Sequence, residues 1–248
     1  MRHPIFVMAS KVRARALTSL RRILLTVALA TVALTYPATE ASAQAHYTSR
    51  VSLGVKGGAD IARMFFNPSV KQSFKPGAMA GFMFRYVEES HFGLIAELNF
   101  IQRGWKENFE GEPFSYERTL DYLQLPVLAH IYFGRRGKFF INVGPEIGVR
   151  LSQKVKSDFE WWHASELPGF PKYHQTMQYN EKITQRLDYG ISAGLGGEFS
   201  INPHNSLNLE VRFYYGLGNL FGASRKDNFN GSNSMALEFT LGYWLRIK

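Results

Sequence analysis

Along most of the chain, hydrophobic and polar residues alternate with a period of two. Over 139–152 the odd positions read Phe139, Ile141, Val143, Pro145, Ile147, Val149 and Leu151, whereas the even ones include Asn142, Gly144, Glu146, Gly148 and Arg150. Successive side chains of a strand point to opposite faces, so this segment is a strand with one apolar face and one polar or small face. The alternation recurs over 187–200, 207–217 and 235–247, where Asp188, Glu198, Glu210, Arg212, Glu238 and Arg246 oppose aliphatic and aromatic residues. Looser versions occupy 51–60, 77–86, 92–103 and 120–133, which brings the predicted strands to eight. Pro126 has no N–H to give a ladder and is expected at a bulge.

The connections alternate too. Those over 87–91, 134–137 and 202–205 are tight; those over 61–76, 104–119, 153–186 and 219–234 are long. Short periplasmic turns and long external loops thread a barrel through an outer membrane. The expected fold is therefore all-β: an eight-stranded antiparallel up-and-down transmembrane β-barrel. It would be monomeric, in contact with outer-membrane lipid, with both mature termini in the periplasm. A soluble lipocalin-like ligand-binding barrel would also alternate and is the competing architecture. The faces favour the membrane. Glu97, Glu146, Glu198, Glu210 and Glu238 share one face with Lys56, Arg85, Arg150, Arg212, Arg246 and many glycines. Such a mixture suits a narrow interior where acid and base pair, while lipid accepts the unbroken apolar face. Phe82, Phe84, Tyr86, Phe92, Phe133, Phe139 and Tyr243 lie on the apolar phase, many near strand ends, as interfacial girdles do.

The amino terminus changes the reading of the charge. Six basic residues, Arg2 to Arg22, precede an uncharged apolar run over 23–34, and Ala41-Ser42-Ala43 follows. That order marks a secretory signal peptide over 1–43, with the barrel domain over 44–248. The uncharged stretch ends at Thr39 after 17 residues and contains Pro37, which is short for an uncleaved membrane anchor. Removing 1–43 takes away six basic residues and one acidic one, so the formal charge falls from +9 to +4. A nucleic-acid partner inferred from the precursor's basicity would be an artefact. Composition excludes other classes. With 15% aromatic residues the chain is not disordered, and with no cysteine it has neither disulfides nor thiolate chemistry.

Four segments carry a family resemblance: Val55-Lys56-Gly57-Gly58; Glu97-Leu98-Asn99-Phe100-Ile101-Gln102-Arg103-Gly104-Trp105; Asp121-Tyr122-Leu123-Gln124-Leu125-Pro126; and Asn142-Val143-Gly144-Pro145-Glu146-Ile147-Gly148. Together they resemble the PorT-type outer-membrane β-barrel family of Bacteroidetes, over nearly the whole mature chain. The resemblance implies an eight-stranded barrel in the cell outer membrane and, for some members, a part in type IX protein secretion. The carboxyl end, Leu245-Arg246-Ile247-Lys248, departs from the family by lacking a final aromatic.

Candidate chemistry is sparse. Gly194-Leu195-Gly196-Gly197 superficially resembles a phosphate loop, but it lies inside a predicted strand with no helix after it, so close packing is expected instead. His130 is the histidine that falls within a strand, on the inward face, where it could meet Glu146 or Asp188. A histidine satisfied within the interior network is the simpler expectation, because no second histidine shares its face. An envelope-lipid-modifying barrel enzyme, with His130, His163 or His174 as base, is the alternative function. The outward phases offer it no Ser–His pair. No catalytic residue, metal or cofactor is therefore assigned. The unusual feature is the 34-residue connection over 153–186, which carries Trp161, Trp162, Phe170, Tyr173 and Tyr179. Exposed Trp and Tyr are favoured anchors, so these five form the candidate partner-binding loop. Other envelope or secretion proteins are the expected partners. The alternative is that the neighbouring strands continue past the membrane and the aromatics pack on one another.

Overall fold

The computed structural model describes residues 49–221 and 228–248, except Tyr173 and Thr184. The expected signal segment, 1–43, lies outside the described residues. Eight long antiparallel strands follow in order: β1 (Arg50–Asn67), β2 (Lys75–Val87), β3 (Phe92–Glu107), β4 (Tyr116–Gly134), β5 (Gly137–Ser157), β6 (Leu187–Ser200), β7 (Asn205–Gly216) and β8 (Gly231–Arg246). Each pairs with its neighbour in sequence, and β8 pairs back on β1, with Lys56 opposite Gly242 and Asp60 opposite Glu238. The sheet is closed. A two-residue strand, Gln72–Ser73, pairs with the end of β3.

The observed strands run past the expected ends on the long-loop side. β1 continues to Asn67, β3 to Glu107 and β5 to Ser157. The ring thus rises beyond any membrane as a crown. The expected bulge at Pro126 is not there. Ala96 opposite Val127 and Asn99 opposite Gln124 keep one register across the proline. The register shifts instead between Asp121 and Tyr122, which face Ser152 and Arg150 and leave Leu151 as the extra residue. A bulge inserts one residue and reverses the phase beyond it. Lys154 and Lys156 therefore point to water while Val155 packs against the core of the crown. The proline loses only its donor; the inserted residue re-aims a whole strand end.

The apolar residues cover the outside. Leu53 and Val55 of β1, Phe82 and Phe84 of β2, Leu195 and Phe199 of β6, and Leu241 and Leu245 of β8 are all exposed. On β3, β4 and β8 the outward apolar run covers 92–100, 123–133 and 235–245, which matches the nine to eleven residues of a tilted spanning strand. Polar residues end the band on the crown side: Arg63 on β1, Gln102 on β3 and Lys154 on β5. An apolar girdle around a closed barrel is far larger than a water-soluble monomer exposes.

Because Leu241 lies near the middle of that girdle, Leu241→Arg is expected to cost about 2–4 kcal/mol in denaturant unfolding from phospholipid vesicles. The same change on the outside of a water-soluble barrel would cost little.

Candidate functional site

The lumen is filled in three tiers, each positioned by the inward phase of the strands. In the middle tier Arg212 of β7 grips Glu97 of β3 with both terminal nitrogens, at 2.7 and 2.8 Å, and reaches Glu210 at 2.9 Å. Lys56 of β1 adds a bond of 2.6 Å to Glu97, and Asn142 of β5 one of 2.9 Å to Glu210. Toward the crown Arg103 donates to Glu146 at 3.0 Å and Glu238 at 2.6 Å, and lies 3.8 Å above the Tyr214 ring. Toward the short turns Arg85 and Lys138 both pair with Glu198, and Arg85 covers Trp244. Glycines make the room. A Cβ on Gly190 would come within 2.8 Å of the Tyr214 ring. Gly194 and Gly196 of the glycine run sit inside β6 against Glu210 and Phe140, in a strand rather than a phosphate loop.

The crown forms a second, apolar layer over this ionic one. Phe66 meets Trp105 edge-on at 5.3 Å and stacks on Phe221, which in turn stacks on Phe229 at 5.3 Å. These rings, with Met64, Ile101, Leu120 and Tyr122, close the wide end of the lumen. Over them folds the connection 158–186, with a 3-10 helix at Trp161–Glu166 and one α-helical turn at Met177–Asn180. The buried carboxylate of Glu107 anchors it. That carboxylate accepts hydrogen bonds from Tyr179 (2.6 Å), Gln178 (3.0 Å) and the Trp105 indole (3.3 Å), and contacts His174 Nε2 at 2.7 Å. Burial and Glu107 together push the Tyr179 hydroxyl well above its ordinary value, so it remains the donor. Burial also pushes Tyr116, whose ring lies 4.6 Å from that of Tyr179, up to about 12. Arg118 lies over Trp105 at 5.5 Å, its pKa lowered by burial.

The sequence-selected loop residues are divided by this packing. Tyr179 is buried at the anchor, and Trp161 and Phe170 pack partly buried against the aromatic cluster. Trp162 stands 48% exposed beside the Trp161 ring, while Tyr173 lies outside the described residues. His130 makes no hydrogen bond to Glu146 or Asp188. Its Nδ1 bonds Asn142 at 2.7 Å, and its ring stacks on Tyr132, because both neighbours share its tier and the carboxylates do not. His163 is exposed and His174 is held by Glu107. The anchor itself escaped notice in the sequence. The inward phase of β3, Glu97, Asn99, Ile101 and Arg103, continues through Trp105 to Glu107, and that continuation was the available signal.

A closed eight-stranded ring with an apolar outer girdle and a charged, filled lumen defines a small membrane-spanning barrel. The chain belongs to the family described as outer membrane protein beta-barrel domain, which matches residues 41–222, and its place is the cell outer membrane. The chain is similar in structure to OprG of Pseudomonas aeruginosa, at 12% identity and a TM-score of 0.47, covering 79% of this chain and 95% of that one. It is also similar to Ail, the attachment invasion locus protein of Yersinia pestis, at 11% identity and a TM-score of 0.40, covering 80% of this chain and 100% of that one. A third is the E. coli Outer Membrane Protein W, at 15% identity and a TM-score of 0.37, covering 77% of this chain and 96% of that one. No curated protein matches the sequence.

Replacing Tyr179 by Phe removes one donor to a buried carboxylate and should loosen the crown by about 1.5–3 kcal/mol, read as faster proteolysis of 158–186 with the barrel intact. Alkali should act at the same place. A buried tyrosine whose pKa is raised contributes stability below its ordinary value of 10, and that contribution disappears as the pH rises through the folded value of about 12. Crown protection, followed by amide hydrogen exchange at Tyr116, is expected to hold to pH 10 and to fall between 10 and 12.

Proposed function

We propose that this barrel is neither a general pore nor an enzyme, and that its role is structural or interactive, exercised through the crown and the loop over 158–186. The filled lumen carries this reading. An eight-stranded barrel leaves space only for side chains, and here ionic pairs and aromatic rings take it, with clefts of ≈ 10 Å³ left among them. The loop offers a surface instead. Among its described residues the large apolar side chains turned to water are Trp162 and Met177, 48% and 44% exposed. An exposed Trp on a loop anchored from beneath is preorganised for binding, because little entropy remains to be lost. Trp161, Phe170 and Tyr179 support it from the same loop, and Tyr173 completes the candidate set.

Accessory service to a protein-secretion or envelope-building machine is the role such a surface fits. The link to type IX secretion rests on the sequence resemblance at 121–126 and the other three segments. Of the lipid-modifying alternative's three candidate bases, His130 is buried beside Asn142 and His174 is committed to Glu107, which leaves it the exposed His163 on the loop. Residues 1–43 are the cleaved export signal in this reading, so amino-terminal sequencing of the membrane-extracted protein should begin at Gln44.

Affinity capture from detergent-solubilised membranes should retain a discrete envelope protein that Trp162→Ala loses while the barrel stays folded. Lipid analysis of a deletion strain should be unchanged. A lost acyl modification restored by the wild type and not by His130→Ala would overturn the reading. Planar bilayers should show no large steady conductance.

A further inference from the structure

The outer wall above the girdle is not evenly charged. On β3, β4 and β5 the first three outward rows read Gln102–Asp121–Ser152, Gly104–Thr119–Lys154 and Lys106–Glu117–Lys156. Lys106, Lys154 and Lys156 are exposed, and none forms an ion pair with a described residue. The two acids of these rows are engaged elsewhere. Asp121 accepts from Gln102 at 3.0 Å and from Ser152, and Glu117 lies 3.6 Å from Lys75. On the opposite wall the outward residues above the girdle are Asn233 and Gly231 of β8 with Phe65 and Asn67 of β1, and Arg63 at the band's edge covers the Phe74 ring at 5.8 Å. The positive strip is therefore one-sided. It is also narrow, because Asp158 and Glu160 follow Lys156 toward the tip of the crown.

The bulge at Leu151 creates this arrangement. A strand that kept its phase through 151 would turn 154 and 156 inward, among the aromatic rings of the crown; the inserted residue turns both lysines out. Directly below them on the same two strands lie Leu123, Leu125, Val149 and Leu151, all exposed in the lipid-facing band. A lipid whose chains cover those residues ends in a headgroup at the level of the lysines. We propose that Lys106, Lys154 and Lys156 form a binding site for the phosphate of an outer-leaflet lipid headgroup. Residues two apart on a strand are separated by about 7 Å, and β3 and β5 by about 10 Å across β4. Flexible lysine stems span such distances, so the three ammonium groups converge on the phosphate, each a compact charge with three donors. The site lies on the outer wall and does not involve the loop over 158–186.

The test uses the full-length mature barrel in phosphatidylcholine nanodiscs, with a fluorophore on Leu123→Cys, beneath the lysines, or on Leu237→Cys, on the opposite wall. The quencher is a minor fraction of phosphatidylglycerol or of phosphatidylcholine, each spin-labelled near the top of one acyl chain. The probe at 123 should report an apparent affinity about fivefold higher for the anionic lipid than for the neutral one, and the probe at 237 no preference. Lys154→Gln together with Lys156→Gln should abolish the preference, whereas Lys154→Arg with Lys156→Arg should keep it. Lys106→Gln, on another strand, should weaken it, and heat-modifiable migration checks that each variant is folded. The proposal is overturned if the probe at 123 does not distinguish the two lipids. It is equally overturned if the preference survives the paired Gln changes, is lost with the paired Arg changes, or is as large at 237.

Discussion

Everything in this molecule depends on neutralising charge inside a lumen that has room for side chains and little else. Isolated ions cannot be buried there, and a cation left without its carboxylate would cost several kcal/mol. The sequence meets the constraint by distributing acid and base over different strands. Glu97 of β3 thus requires Lys56 of β1 and Arg212 of β7, and Arg103 of β3 requires Glu146 of β5 and Glu238 of β8. Such bonds cross the barrel, so they close only when all eight strands are in register. Ionic pairing therefore specifies the ring, while the apolar face, free of that duty, is left to the lipid.

The same division explains the crown. Above the girdle, lipid no longer covers the outside and water can reach the inside, so ionic filling gives way to aromatic filling around Phe66, Trp105 and Phe221. The buried carboxylate of Glu107 lies in this layer, satisfied by three donors and the His174 ring rather than by Lys or Arg. Hydrogen bonds from Tyr179, Gln178 and Trp105 to that one carboxylate fix the loop over it. The cost of burial is met by hydrogen bonds that also determine where 174–179 must lie.

The strands were legible in the sequence because period two records a two-faced environment directly, and the girdle and lumen differ sharply in polarity. Their ends were not. Beyond Arg63, Gln102 and Lys154 both faces meet mixed surroundings, so the alternation blurs although pairing continues to Asn67, Glu107 and Ser157. A bulge at Leu151 leaves no residue signature, whereas Pro126 carries a strong one and yet keeps register. The five loop aromatics were recognisable as unusual, but the burial of Tyr179 while Trp162 stays exposed depends on Glu107, 72 residues before Tyr179 in sequence. His130 was expected to be satisfied on the inward face, but its actual partner, Asn142, was not legible, since tier height along a strand is not visible without the register of the adjoining one.

The direction in which the two faces point is the claim on which the rest stands, and spin labels along β8 test it directly. Single cysteines placed in turn at 236 to 245 in a phospholipid bilayer should alternate. Labels at Leu237, Phe239, Leu241 and Tyr243 should be relaxed by lipid-soluble oxygen. Those at Glu238, Thr240 and Gly242 should be shielded from both oxygen and a water-soluble nickel reagent. Strong relaxation of the Leu237–Tyr243 series by the nickel reagent, or of the Glu238–Gly242 series by oxygen, would contradict a barrel with its charges inside.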